Sequence, residues 1–255
     1  MNRSSIPSIT LALASLLVLG PACDDSVRTE TLEFAAADAI TQLDVRTGSG
    51  DVVVIAEAGR DHVDVEAEIH GDATRLRWDL DDGALTLDHR CPTTNIGSCA
   101  VDWTVWVPLT DAEGEPAQLD LVADTGSGNV RVEDLHGDVE AGTGSGDVVL
   151  HGVHASRFAL DTGSGDVQVI GSAAESIGAS TGSGDVRIDL HVVPRGVTLD
   201  TGSGDVHVTV PHDRYRLELH TSSGDVDIDG VIVDSSAGNV IVADTGSGDI
   251  RVDGR

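Results

Sequence analysis

The sequence predicts an all-β chain, a parallel β-helix or β-solenoid with rungs of about 19–20 residues, preceded by a less regular β-rich N-terminal half. Three observations predict it. The phrase Thr-Gly-Ser-Gly-Asp-Val starts unchanged at Thr47, Thr143, Thr162, Thr181 and Thr201, and in altered form at Thr125, Thr221, Ser235 and Thr245. From Thr125 to Thr221 the steps are 18, 19, 19, 20 and 20 residues, as expected for a short unit stacked many times. After each phrase apolar residues recur at every second place, the period of a strand with one buried face.

In chain order, residues 1–22 read as an export signal. Ile9–Leu19 is an apolar stretch too short to span a bilayer. The Gly20-Pro21-Ala22-Cys23 that follows resembles a bacterial lipobox, in which the cysteine is lipidated and becomes the new N-terminus. Leu19 lies four places before Cys23 where three is usual. Residues 23–36 would then be a lipid-anchored tether, and simple secretion is the alternative. Cys91 and Cys99 flank the loop Pro92–Ser98 and are expected to pair in an oxidising compartment. That pairing leaves Cys23 over, which a lipid explains.

Residues 37–116 contain a single phrase, at Thr47, and read as a β-rich capping region. Strands are expected at Val63–Ala67, Arg75–Leu80 and Ala84–Asp88, with Asp82-Gly83 as a hairpin turn. Val101, Trp103, Val105 and Val107 alternate with Asp102, Thr104 and Trp106 up to Pro108. Trp103 and Trp106 therefore fall on opposite faces; both are expected between layers, and exposure of one of them is the alternative. The loop Thr110–Ala117 leads into the repeats, residues 117–255.

Each rung is expected to be a strand, a glycine corner, a second strand and a return loop. The inward pairs after the corners are Val52/Val54, Val130/Val132, Val148/Leu150, Val167/Val169, Val186/Ile188, Val206/Val208, Val226/Ile228, Val240/Val242 and Ile250/Val252. Strands before the corner show at Arg157–Leu160, Gly196–Leu199 and Tyr215–Leu219, with Phe158 inward. Aromatics are 2% of the chain, so Val, Leu and Ile must make the core. The net charge is −29 and there is no lysine. Such a surface repels nucleic acid and anionic lipid, and favours cations and basic partners.

Asp-Thr-Gly-Ser at Asp124, Asp161, Asp200 and Asp244 matches the aspartic-protease phrase, whose chemistry needs two carboxylates sharing a proton. Sister copies carry Arg46, Gly142, Ser180 and His220 there, and successive copies fall on stacked rungs. The expected role is a turn. The second aspartates, Asp147, Asp166, Asp185, Asp205 and Asp225, should stack as a ladder with Asn129 ahead of them. Calcium bridging between rungs would offset their repulsion, and so would acceptance of corner amide bonds. Asn129 and Asn239 keep the oxygen without the charge, so hydrogen bonding is the expected role and calcium the alternative. No other cofactor is expected. The histidines show no metal spacing, and the regular array has only Phe158 and Tyr215 as aromatic platforms for sugar.

The layout Leu43-Asp44-Val45-Arg46-Thr47-Gly48-Ser49-Gly50-Asp51-Val52, then Val105-Trp106-Val107-Pro108, then serial repeats resembles the bacterial putative-adhesin domain of unknown function over residues 31–255. The resemblance implies a right-handed β-solenoid in an exported protein, with no established catalytic residues. The expected function is a non-enzymatic envelope lipoprotein, an adhesin or structural interaction module, facing the periplasm or held at the outer membrane. The alternatives are a polysaccharide-active β-helix enzyme and an envelope-stress signalling partner. Arg255 marks an uncapped solenoid end, from which end-to-end association of two copies is expected.

Overall fold

The computed structural model describes residues 27–34, 40–71, 74–90 and 99–255. The export signal, Cys23 and Cys91 lie outside the described residues. Among these, every regular element is a strand. The strands form two faces joined by one long strand that runs through both.

The front face begins with β1 (Val27–Phe34), β4 (Val63–His70) and β7 (Ala100–Pro108), paired antiparallel. Parallel strands follow: β3 (Val52–Glu57), β9 (Val130–Glu133), β11 (Val148–His151) and the first part of β13 (Val167–Thr181). Then come β14 (Val186–Leu190), β16 (Val206–Val210), β21 (Ile250–Gly254) and β18 (Val226–Asp229). The back face starts with the antiparallel pair β5 (Arg75–Asp81) and β6 (Ala84–Arg90). It continues in parallel through β2 (Gln42–Thr47), β8 (Asp120–Thr125), β10 (Val139–Thr143) and β12 (His154–Thr162). It ends with the second part of β13, β15 (Gly196–Thr201), β20 (Val240–Thr245) and β17 (Arg214–Thr221). The short β19 (Ile232–Val233) pairs with the start of β17.

The core is a single cluster between the faces. The front face supplies Val and Ile, such as Val167, Val169, Val186 and Ile188, all fully buried. The back face opposes them with Leu43/Val45, Leu121/Ala123, Phe158/Leu160 and Val197/Leu199. Small β-branched side chains suit this thin interior, because each rung buries its apolar row only against the facing strand and its two neighbours.

The corners stack in the order Thr47, Thr125, Thr143, Thr162, Thr181, Thr201, Thr245, Thr221. The last two are out of chain order. β20 and β21 insert between the Thr201 and Thr221 rungs, which sets Arg251 beside Asp227 at 3.2 Å and Asp253 beside His207 at 2.8 Å.

This insertion corrects several expectations. Ser235 does not start a corner; Asp234 accepts the Ser236 amide in a tight turn. Ile241 and Ala243 face inward, not Val240 and Val242, since β20 precedes the Thr245 corner and its frame counts back from that threonine. Val226 and Ile228 are 45% and 41% exposed because theirs is the outermost rung. Arg255 is not a bare end: its amide donates to the Val210 carbonyl and its guanidinium meets Asp189 at 2.8 Å. Val27–Phe34, expected within the tether, is a strand that covers the edge of β4, with Phe34 edge-on to Trp78 at 5.4 Å.

Candidate functional site

The repeated corner is the first candidate, and its chemistry is used up within the stack. Each corner threonine is buried from Thr47 to Thr201 and again at Thr245. Its hydroxyl donates to the carbonyl of the fourth residue of the rung before: Thr143 to Gly128 at 2.8 Å, Thr201 to Gly184 at 3.0 Å, Thr245 to Gly204 at 3.0 Å. The fourth residue must be glycine. At Gly165 φ is +144°, and a Cβ there would lie 2.0 Å from the Gly146 carbonyl oxygen. The second residue must be small as well, since a Cβ at Gly202 would lie 2.6 Å from the Gly182 carbonyl oxygen. Ser222 fills this place in the outermost rung, which can shift outward without displacing a neighbour.

The second aspartates line up as expected, with one interruption. The amide of each donates to Oδ1 of the preceding one: Asp166 to Asp147, Asp185 to Asp166 and Asp205 to Asp185, each at 2.8 Å. Asp249 then stands between Asp205 and Asp225, linked to both at 2.8 Å. Asn129 serves in the same way, accepting from Asp147 at 2.9 Å. These oxygens thus stabilise amides that the corner leaves without a strand partner. Among the described residues the ladder carboxylates form no three-ligand cluster.

Such a cluster does occur on the cap. Glu68 and His70 of β4 and Asp102 of β7 hold their ligand atoms within 4.8 Å of one another. His70 Nε2 lies 2.9 Å from Asp102 Oδ2 and 3.8 Å from Glu68 Oε1. Glu68 and Asp102 are direct cross-strand partners, so the imidazole between them reduces a like-charge contact. The sequence reading missed this group, because it depends on the antiparallel register of two strands 32 residues apart.

The protease-like aspartates lie on the outer back face. Register places Arg46, Asp124, Gly142, Asp161, Ser180 and Asp200 side by side across it. Small residues alternate with the acids as far as Asp200, whose next register partner is Asp244, and the Ser180 hydroxyl donates to Asp161. The result is a shallow acid-lined groove of 630 Å³. Asp124 and Asp161 are separated by the Gly142 strand, and Asp200 and Asp244 lie side by side on adjacent parallel strands of one face, so neither pair is presented from two facing lobes.

Trp103 is fully buried, whereas Trp106 is half-exposed beneath Arg60, whose guanidinium lies 6.0 Å from the ring centre. His154 stacks on His136 at 4.9 Å and meets His191 at 5.2 Å. Burial, and then the two neighbouring imidazoles, push the His154 pKa below its ordinary value. The signal for this stack was present: His136 and His154 are 18 residues apart, the step from Thr125 to Thr143. Cys99 is not a free thiol; Cys91, its expected partner, is outside the described residues.

The profile of the Toastrack DUF4097 family matches residues 37–254. The chain belongs to this family. Solved structures similar to this chain include a "putative adhesin" from Parabacteroides distasonis, 14% identical, with 89% of this chain and 98% of that chain covered and a TM-score of 0.51. A "putative adhesin" from Bacteroides fragilis is 14% identical over 89% of this chain and 97% of that one, with a TM-score of 0.49. A "putative lipid binding protein" from Parabacteroides distasonis is 12% identical over 89% and 96%, with a TM-score of 0.44. At this identity the Parabacteroides adhesin-named structure bears on the Toastrack fold alone. No functionally curated protein matches the chain.

Proposed function

We propose that this Toastrack chain is a non-enzymatic interaction module of the bacterial cell envelope, exported and anchored through a lipid on Cys23, with a Cys91–Cys99 disulfide in its cap. One observation carries the reading. The Thr, Gly and Asp groups that the repeat multiplies are engaged between rungs, as in Thr201 to Gly184 and Asp205 to Asp185. The repeat is therefore architecture, and recognition falls to the outer faces, where Asp124, Asp161 and Asp200 line a groove. The Parabacteroides structure of related fold is named an adhesin, and a surface role is consistent with that name. The partner is an envelope or cell-surface molecule with basic character; the −29 charge disfavours nucleic acid. Calcium is not needed to hold the stack, because Oδ1 of Asp147, Asp166, Asp185 and Asp205 each accepts an amide proton of the next rung.

Intact mass of the protein from its native membrane fraction, with and without reduction, tests the anchor and the disulfide together. Acyl mass on a chain beginning at Cys23, with two mass units gained on reduction, is the expected result. An unlipidated chain overturns the anchored reading. Turnover of a cell-wall glycan or peptide by the purified protein overturns the non-enzymatic one.

A further inference from the structure

The two ends of the stack differ. At the cap, β7 supplies what a preceding rung would. The Thr47 hydroxyl donates to the Val101 carbonyl at 3.0 Å, and the Asp51 amide to Asp102 Oδ1 at 2.7 Å. Val101 and Trp103 donate in turn to the Ser49 and Asp51 carbonyls. Among the described residues, the far end, the Thr221 rung, is covered only at the start of β17, where β19 pairs with Arg214 and Tyr215. Its inward pair after the corner is open, with Val226 and Ile228 at 45% and 41% exposed.

The unfilled bonds of this rung can be read from its neighbours. On the outward side of the Thr201 rung, Gly246 N donates to Thr201 O, Thr245 Oγ1 to Gly204 O and Asp249 N to Asp205 Oδ1. In return Gly204 N and Val206 N donate to Ser247 O and Asp249 O. The same groups on the Thr221 rung are three acceptors (Thr221 O, Gly224 O and Asp225 Oδ1) and two donors (Gly224 N and Val226 N). All five point outward, where no rung follows among the described residues. Arg251 sits on the inner side of Asp227 at 3.2 Å, and the outer side of that carboxylate is open.

We propose that the Thr221 rung is a docking edge for an extended segment of another protein, added parallel to β18 and to β17 from Arg216 onward, beyond the part that β19 pairs. The segment carries glycines at its corner, apolar side chains at alternate positions and a basic residue beside Asp227. Strand addition of this kind draws affinity from backbone bonds and specificity from alternate side chains. A second copy of this chain fits less well. Head-to-tail stacking needs the inner side of the partner's Thr47 rung, which β7 covers. Two-fold pairing would set Asp225, Asp227 and Asp229 against themselves on chains of −29 charge. The inference rests on the interaction-module reading, but not on the lipid anchor.

A synthetic peptide of residues 240–254, which makes the five bonds to the Thr201 rung, is the probe. Titrated against the full chain by fluorescence anisotropy, it is expected to bind saturably. A Gly248→Val peptide is expected to lose at least about tenfold in affinity, because the Cβ at this place lies 2.1 Å from the carbonyl it stacks on. An Asp227→Arg chain, shown to be folded by circular dichroism, should reject the peptide and accept its Arg251→Glu variant. Absence of saturable binding, or indifference to Gly248→Val, overturns the proposal. Sedimentation of the chain as a dimer that Asp227→Arg dissociates also overturns it, in favour of a second copy. Intact mass reads the anchor separately, so a failed titration removes the docking edge and leaves the envelope reading in place.

Discussion

Oδ1 of Asp102 accepts the backbone amide of Asp51 at 2.7 Å, the same link that joins Asp185 to Asp205 at 2.8 Å further along the stack. Asp102 lies in no repeat, yet it starts the ladder. The cap is therefore more than an apolar lid: it presents to the first rung the acceptor that every later rung finds on its neighbour.

Replacing Asp102 tests that role. Asp102→Asn keeps the acceptor, as Asn129 does within the ladder, and should leave the melting temperature close to that of the parent. Asp102→Ala leaves the Asp51 amide unpaired and should cost about 1–3 kcal/mol in chemical denaturation. Equal losses for the two variants would mean that the charge beside His70 matters more than the acceptor.

The fourth corner position should tolerate nothing but glycine. Gly165→Ala combines a φ of +144° with a Cβ 2.0 Å from a backbone oxygen. A loss of about 3 kcal/mol or more is expected, enough to threaten expression of the folded chain. Gly59→Ala has a positive φ but open space around the new methyl, and should cost only about 1 kcal/mol. Similar melting temperatures for the two would contradict the stacking explanation.

Within the ladder, Asp185→Asn should be nearly neutral and Asp185→Ala should lose about 1 kcal/mol. Calcium followed by chelator is expected to leave the parent melting temperature unchanged. A rise with calcium that Asp185→Asn abolishes would restore the metal reading of Asp147, Asp166, Asp185, Asp205 and Asp225.

The stacked histidines offer a test at His154. His154 is held below its ordinary pKa by burial and by His136 and His191. His136→Gln should therefore raise the His154 midpoint in an NMR titration. His62, raised chiefly by its bond to Asp61, should titrate above His154 in the same experiment. The linkage signs are opposite. The depressed His154 favours the fold above the unfolded-state pKa of about 6.5 and loses that contribution as pH falls. The raised His62 contributes below that value and loses its contribution as pH climbs.

Tyr215 is the only tyrosine, so its ultraviolet titration is unambiguous. Burial pushes its pKa up to about 12, and its hydroxyl donates to the Pro211 carbonyl at 2.9 Å. Native protein should ionise near that value and unfolded protein near 10. Stability present below pH 10 should decline between the two. Ionisation of the native chain near 10 would place the ring in water and contradict the closed β17 corner.

Much of the architecture was legible along the chain because it is local and periodic. The Thr-Gly-Ser-Gly-Asp-Val phrase states its own geometry: glycine where a neighbouring carbonyl approaches within 2–3 Å of a would-be Cβ, an Asx oxygen where an amide lacks a partner, and aliphatic residues at every second place after it. The preference for a hydrogen-bonding aspartate could be read from Asn129 alone. What only the tertiary structure decided is adjacency between segments of equal local fitness. Rungs of nearly identical sequence present nearly identical edges, so nothing local tells Thr201 whether Thr221 or Thr245 should follow it. That choice depends on contacts made by the whole assembly, such as Arg251 with Asp227 and Arg255 with Asp189. It leaves the Thr221 rung outermost. The meeting of Glu68, His70 and Asp102 likewise depends on an antiparallel register between distant strands, which no period in the sequence encodes.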